Sequence, residues 1–304
     1  MTSGASLDRP GRGIALRLLS GVLFTGMAVC VKALSDAVPT GQIVFYRSAF
    51  ALIPLAVFLW WRRELPGGLR TRRPFGHLIR SAFGAAAMFT SFAAIARLPL
   101  AEAVLIGHLA PVFTALAAVI VLSERLTVWR VLGLAFGFTG VLALVWPDLG
   151  GNVEVSRLAG YALCLATAAL TAAALLMVRS LARTESPGAI AIYFVAASMV
   201  GGLLTLPFGW AATDGTALVL LTLAGLFGGA AHIAMTLAFR YAEASRLAPF
   251  EYVALLWAVL ADLVLFGSPL GPSFLVALPL VLLGAAGAAS ERRSPPVRIG
   301  RKVR

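Results

Sequence analysis

Long apolar runs, broken at intervals by short polar clusters, dominate the chain. Ten of them are near the roughly 20 residues that an α-helix needs to cross a bilayer core about 30 Å thick. They fall at about 14–34, 40–61, 75–96, 100–122, 128–146, 158–179, 188–209, 217–239, 246–266 and 270–290. Only short connections and two basic tails remain, too little for a soluble domain. The pattern predicts an all-α integral membrane protein of ten transmembrane helices. The first run follows Arg9, Arg12 and Arg17 as a signal peptide would. It lacks a convincing small-residue cleavage site and carries Lys32 near its end, so it reads as a retained helix.

Composition agrees. The 304 residues are 60% hydrophobic and 12% charged, with mean hydropathy +0.92, whereas soluble domains are about one-quarter charged. The net charge of +12 raises nucleic acid as a partner, but the distribution of the cations points to a membrane. With the N-terminus on the inner side, all Lys and Arg except Lys32, Arg47, Arg97 and Arg157 fall in or beside inner loops and tails. The positive-inside bias then gives N-in, C-in topology, with the basic loops near anionic headgroups. Cys30 and Cys164 lie inside spans and read as small packing residues, without a disulfide framework or metal cluster.

The second half echoes the first. At an offset of about 144 residues, FGAAA at 83–87 falls on FGGAA at 227–231, and spans 3, 4 and 5 fall on 8, 9 and 10 without a gap. Five spans per half is odd, so the halves enter the membrane from opposite sides, as in many secondary transporters. The expected organisation is an N-terminal five-helix repeat (1–147), an inverted C-terminal repeat (148–290) and a basic cytoplasmic tail (291–304), with the two repeats around a central cavity. Duplication without a transport role is the alternative.

Polar residues within the spans suggest where that cavity lies, because an intramembrane charge costs at least about 2.5–3.5 kcal/mol unless it faces protein or water. Val104, Gly107, His108, Pro111, Thr114 and Ala118 share one face of span 4 and read as a cavity wall bent at Pro111. At the repeat offset His108 pairs with Tyr252, and Met88 with His232. Ser81, Gly84, Met88, Ser91 and Ile95 form a matching row with Gly225, Gly228, His232, Met235 and Phe239. Span 6 adds Gly160, Cys164, Thr167 and Thr171. Glu251 and Asp262 lie on nearly one face of span 9, roughly 16 Å apart, and could mark the ends of a water path carrying a coupling proton. Glu251 could instead pair with Arg246 or Arg240. His108 could simply bond a neighbouring helix. Arg47 is expected to cap carbonyls or meet an acid inside the bundle, Lys32 and Arg179 to snorkel, and Glu124 to cap the next helix or pair with Arg125 or Arg130.

FYRSAFALIPLAVF in span 2, LAPVFTALAAVIVLSERLT in span 4 and its loop, and ASRLAPFEYVALLWAVL in span 9 resemble the bacterial drug/metabolite transporter superfamily over about residues 14–290. Within it the chain is most similar to exporters of aromatic amino acids and related compounds. The resemblance implies a carrier in the bacterial inner membrane working by alternating access, with spans 1, 3, 4, 6, 8 and 9 around the cavity and 5 and 10 peripheral. One departure is that SERLT becomes GSPLG at 267–271, leaving Glu124 without a mirror.

The expected cargo is an amino acid or a similar small metabolite. Phe83, Met88, Phe92, His108, His232, Phe239, Tyr252 and Trp257 are candidates for its apolar part, and His108, Glu251 and Tyr252 for its polar end. Arg47 and Asp262 are structural or coupling charges. Neither metal nor cofactor is expected, nor a nucleic-acid partner, and the chain is taken as a monomer. An uptake carrier for a nucleoside-like metabolite such as S-adenosylmethionine is an alternative. A membrane enzyme is another, although no HExxH, GxSxG or phosphate-cradling loop is present.

Overall fold

The structure is a computed structural model. It describes residues 9–64, 69, 71–122, 128–149, 154–182, 184–242 and 244–290. Among them every regular element is helical, as lipid demands, since a spanning segment must satisfy its own backbone hydrogen bonds. The helices are α1 (Pro10–Leu34), α2 (Thr40–Trp61), α3 (Pro74–Ile95), α4 (Leu100–Gly107), α5 (Ala110–Leu122), α6 (Val128–Leu149), α7 (Val155–Leu181), α8 (Pro187–Leu203), α9 (Gly215–Tyr241), α10 (Ala244–Glu251), α11 (Val253–Leu265) and α12 (Pro272–Ser290). Among the described residues, eight spans are long and apolar enough to cross a bilayer; Val253–Leu265 and Pro272–Gly287 are shorter apolar helices.

Local chemistry sets the boundaries. Proline opens α1, α3 and α8, where its missing N–H costs nothing. Ser186 caps α8 by accepting from the Ala189 N–H at 3.0 Å, and Asp214 caps α9 by accepting from the Ala217 N–H at 2.6 Å. Exposed apolar side chains such as Trp60, Trp61, Val131, Leu203 and Val264 form the outer surface, as expected of a bundle in lipid.

Two of the ten expected spans are not continuous. Span 4 breaks into α4 and α5 at His108–Leu109, and span 9 into α10 and α11 at Tyr252. At the first break Pro111 cannot donate to the Gly107 carbonyl, and the Leu109 N–H makes a tighter bond to Ile106 at 2.9 Å. The breaks lie 144 residues apart, the repeat offset itself.

The packing partners exchange in the same register. α1 lies on α9 as α3 lies on α7. α2 packs on α9 as α8 packs on α3. α5 meets α7 as α11 meets α1, while α6 and α12 pair with each other at the side. Small residues make these approaches close. A Cβ on Gly225 would come within 2.8 Å of the Arg47 carbonyl oxygen, and one on Gly284 within 2.6 Å of the Gly137 Cα.

Candidate functional site

The broken helices meet at the centre. The His108 and Tyr252 rings stack with centroids 5.4 Å apart and planes 26° apart. His108 Nδ1 donates to the Val104 carbonyl at 2.8 Å; a carbonyl only accepts, so this nitrogen carries the proton. Beside the stack is a cavity of about 640 Å³, within the size range of small-molecule sites. Its wall draws on α1 (Arg17), α3 (Ser91, Ile95), α4 and α5 (His108, Thr114), α7 (Cys164, Thr167), α9 (Phe239) and α10 and α11 (Glu251, Ala254). Among the described residues, none from α6 or α12 lines it. Glu251 pairs with Arg17 at 3.0 Å. Arg179 also lines the cavity, so its ionised side chains carry a net positive charge.

The opposite end of the bundle is closed by polar bonds. Asp262 on α11 is fully buried and accepts from the Leu100 N–H at 2.9 Å and the Ala101 N–H at 2.6 Å. It thus caps α4, which has no cap of its own, with the carboxylate at the positive end of the helix dipole. Lys32 donates to the Leu98 carbonyl at 2.7 Å and sits over the Phe266 ring. Nearby, Arg157 bonds Asp148 at 3.0 Å and Glu102 at 3.2 Å, and the Tyr161 hydroxyl contacts both acids. The cavity therefore opens toward the end where α1 begins.

A second cavity, of about 540 Å³, opens at that same end between α2, α8 and α9. His232 and Thr236 lie along it, with Arg62, Glu64 and Arg240 also on its wall. Phe239 borders both cavities.

A model of the EamA-like transporter family matches residues 11–146. A riboflavin transporter of Rhizobium johnstonii is 31% identical over 260 residues, covering 84% of this chain and 83% of its own. The chain belongs to the EamA-like transporter family. This EamA-like transporter is also 28% identical over 258 residues to the pseudopaline exporter CntI of Pseudomonas aeruginosa, covering 83% and 86% of the two chains. It is 26% identical over 259 residues to an S-adenosylmethionine uptake transporter of Rickettsia felis, covering 84% of each. A solved crystal structure with 21% identity matches 93% of this chain and 99% of its own at a TM-score of 0.63, which shows a common fold. The protein is thus a multi-pass membrane transporter of the drug/metabolite superfamily and not an enzyme.

The transporter brings some of the sequence candidates together and scatters others. His108, Glu251 and Phe239 line the first cavity, Tyr252 backs it through the stack, and His232 lines the second. Met88 and Phe92 are packed into the apolar core. Phe83 lies in a separate groove with Phe113 and Met177, and Trp257 is 36% exposed beside Gly21. These four line neither cavity.

Several charges find partners other than the expected ones. Glu251 pairs with Arg17, which comes from α1 rather than from its own neighbourhood. Lys32 turns inward to carbonyls instead of snorkelling. Arg47 meets neither carbonyl nor acid; its Nε lies 3.4 Å from the Met27 sulfur and its Nη1 has no partner. Glu124 and Arg125 lie outside the described residues. Sequence reasoning missed Arg17 as a cavity residue, having counted it only among the inner cations. It also missed the Glu102–Arg157–Asp148–Tyr161 cluster, in which Glu102 comes from much earlier in the chain than the other three, 55 residues before Arg157.

Proposed function

We propose that the transporter is an inner-membrane exporter of aromatic or hydrophobic amino acids and related small metabolites, working by alternating access. The observation that carries this reading is the His108–Tyr252 stack at the meeting point of two broken helices, beside a cavity open at one end only. Discontinuous helices in corresponding positions of two repeats commonly mark the binding site of secondary transporters. The 144-residue spacing of the breaks and the exchanged packing partners support an inverted repeat of 1–147 and 148–290, with 291–304 as a basic tail. The cation distribution supports N-in, C-in placement, and the open end is then cytoplasmic.

In this reading a flat side chain lies against the His108 and Tyr252 rings, since stacked rings are worth about 0.5–1.5 kcal/mol beyond area burial. Arg179 and the Arg17–Glu251 pair meet the polar end of the substrate. The closed end then opens by releasing Asp262 from α4 and Lys32 from the Leu98 carbonyl. A second reading, uptake of a larger heteroaromatic metabolite, is favoured by the riboflavin and S-adenosylmethionine carriers among the relatives.

Counterflow in proteoliposomes tests both. Labelled phenylalanine, tryptophan, riboflavin and S-adenosylmethionine are compared in wild type, His108→Ala and Tyr252→Ala. Exchange of an aromatic amino acid, lost in both variants while they stay monodisperse in detergent, supports the first reading. Exchange of only riboflavin or S-adenosylmethionine selects the second. Full wild-type exchange in both variants removes the stacked pair from the site.

A further inference from the structure

The second cavity leads to an electrostatic arrangement that the transport reading leaves unused. Arg47 on α2 is only 3% exposed, and its Nη1 is buried without a hydrogen-bond partner. Arg80 on α3 has buried Nε and Nη1 atoms, likewise without partners, and stacks its guanidinium 4.2 Å from the Phe194 ring centroid. The same Phe194 ring lies 6.4 Å from the ring of His232 on α9, and the Arg47 guanidinium packs against Gly228, one helical turn before His232. Three covered hydroxyls, Ser48, Ser81 and Ser198, also lack partners. Counting 1.5 Å per residue from the open end puts Arg80 roughly 9 Å deep, His232 roughly 14 Å and Arg47 roughly 21 Å. Among the described residues, neither guanidinium has a carboxylate partner.

A guanidinium keeps its proton even when buried, because it cannot be deprotonated in proteins. Two permanent cations without an acid, close to one imidazole, are therefore a cost that packing alone does not explain. The cost is relieved by a negatively charged group with several acceptor oxygens. Guanidinium forks match carboxylate and phosphate oxygens in two-pronged fashion. The neighbourhood is otherwise aromatic. Phe24 meets the His232 ring edge-on at 5.0 Å, and Phe194 approaches it at 6.4 Å. Such a site suits an oxyanion carried on an organic body.

Access is built in. His232 is part of the wall of the second cavity, which reaches the open end. The orphaned nitrogens are covered in this conformation, so the ligand must enter as α9 shifts against α2. That contact is made through Gly225, Gly228 and Gly229, which offer no side chains of their own to the α2 residues Arg47, Phe50, Ala51 and Pro54.

We propose that Arg47, Arg80 and His232 form an oxyanion site at the blind end of the second cavity, for a small molecule bearing a carboxylate or a phosphate. The site is separate from the His108–Tyr252 cavity and stands or falls independently of which substrate crosses there.

The test is a thermal melt of the purified full chain in a maltoside detergent, which carries no phosphate. Sodium acetate and sodium phosphate are titrated separately at pH 7, with chloride holding ionic strength constant. Wild type is expected to show a saturable rise in melting temperature of about 3 °C at ten times the midpoint concentration. Arg47→Gln and Arg80→Gln should each abolish the rise, with melting temperatures in chloride equal to or above wild type, because each removes an unpaired buried charge. Arg47→Lys, which keeps the charge but loses the fork, should weaken the midpoint by about tenfold and serves if the Gln variant does not fold. A response to acetate alone identifies a carboxylate site, and to phosphate alone a phosphate site. No saturable response to either anion in wild type, or an undiminished response in the variants, overturns the proposal.

Discussion

The most exposed element of the alternating-access reading is the clamp at the closed end, and Asp262→Asn tests it. Both oxygens of the fully buried Asp262 carboxylate accept backbone N–H groups at the start of α4, at 2.9 and 2.6 Å. Asparagine keeps the shape but turns one acceptor into a donor facing an N–H. The loss is one hydrogen bond to a charged group, about 1.5–3 kcal/mol. If the clamp exists only when that end is closed, all of this energy shifts the equilibrium toward opening, by roughly ten- to a hundredfold. Ser91→Cys puts a reporter thiol on a half-buried wall position of the first cavity; the two native thiols, both buried, are removed as Cys30→Ala and Cys164→Ala. A membrane-impermeant thiol reagent should label the introduced thiol from the N-terminal face when Asp262 is intact. From the opposite face, labelling should rise at least tenfold in Asp262→Asn. An unchanged rate from that face, with a lowered melting temperature, would show that Asp262 only holds the fold together.

Three further outcomes are expected. Tyr252→Ala, which removes one ring of the stack, should weaken half-saturation for an aromatic substrate by roughly 2–10-fold, read from transport kinetics. Gly225→Ala should lower stability by about 1–3 kcal/mol in a thermal or denaturant melt, because its Cβ meets the Arg47 carbonyl and the Ala51 nitrogen, which cannot yield as a flexible side-chain end would. Glu185, in the connection before α8, supplies a pH dependence. Burial pushes its carboxyl up, but hydrogen bonds from His77, Thr71 and the Arg72 N–H outweigh it and hold the pKa below the ordinary 4.5. A depressed carboxylate contributes stability above the unfolded value and loses it as pH falls through the folded one. Glu185→Gln should therefore flatten the acid limb of the stability profile below about pH 4.5.

The reach of sequence reasoning followed the range of each interaction. The spans were legible because lipid imposes an apolar length that can be counted, and α1, α2 and α3 begin and end within a few residues of expectation. The break at His108 was half legible: Pro111 announced a bend. The break at Tyr252 was signalled differently: the repeat offset places Leu255 where the first half has Pro111, and the proline of span 9, Pro249, comes three residues before the break instead of three after it. Register did bring His108 and Tyr252 into correspondence, although their stacking is a tertiary fact. The closing network was not legible. Asp262 caps a helix that starts 162 residues earlier in the chain, and Arg157 reaches Glu102 across 55 residues. Arg80 read as one more inner cation because its depth depends on how α3 packs against α8, which hydropathy does not record.

Alternating access itself is tested most directly by two distance measurements on one protein. Spin labels at Arg12 and Ala182 report the open end, and labels at Arg97 and Leu265 report the closed end; the first three of these are exposed near helix ends, and Leu265 is 61% exposed. On addition of a transported substrate, or in Asp262→Asn, the first distance should shorten while the second lengthens. Distances that stay fixed, or that change together in the same direction, would contradict a chamber that opens to one side at a time.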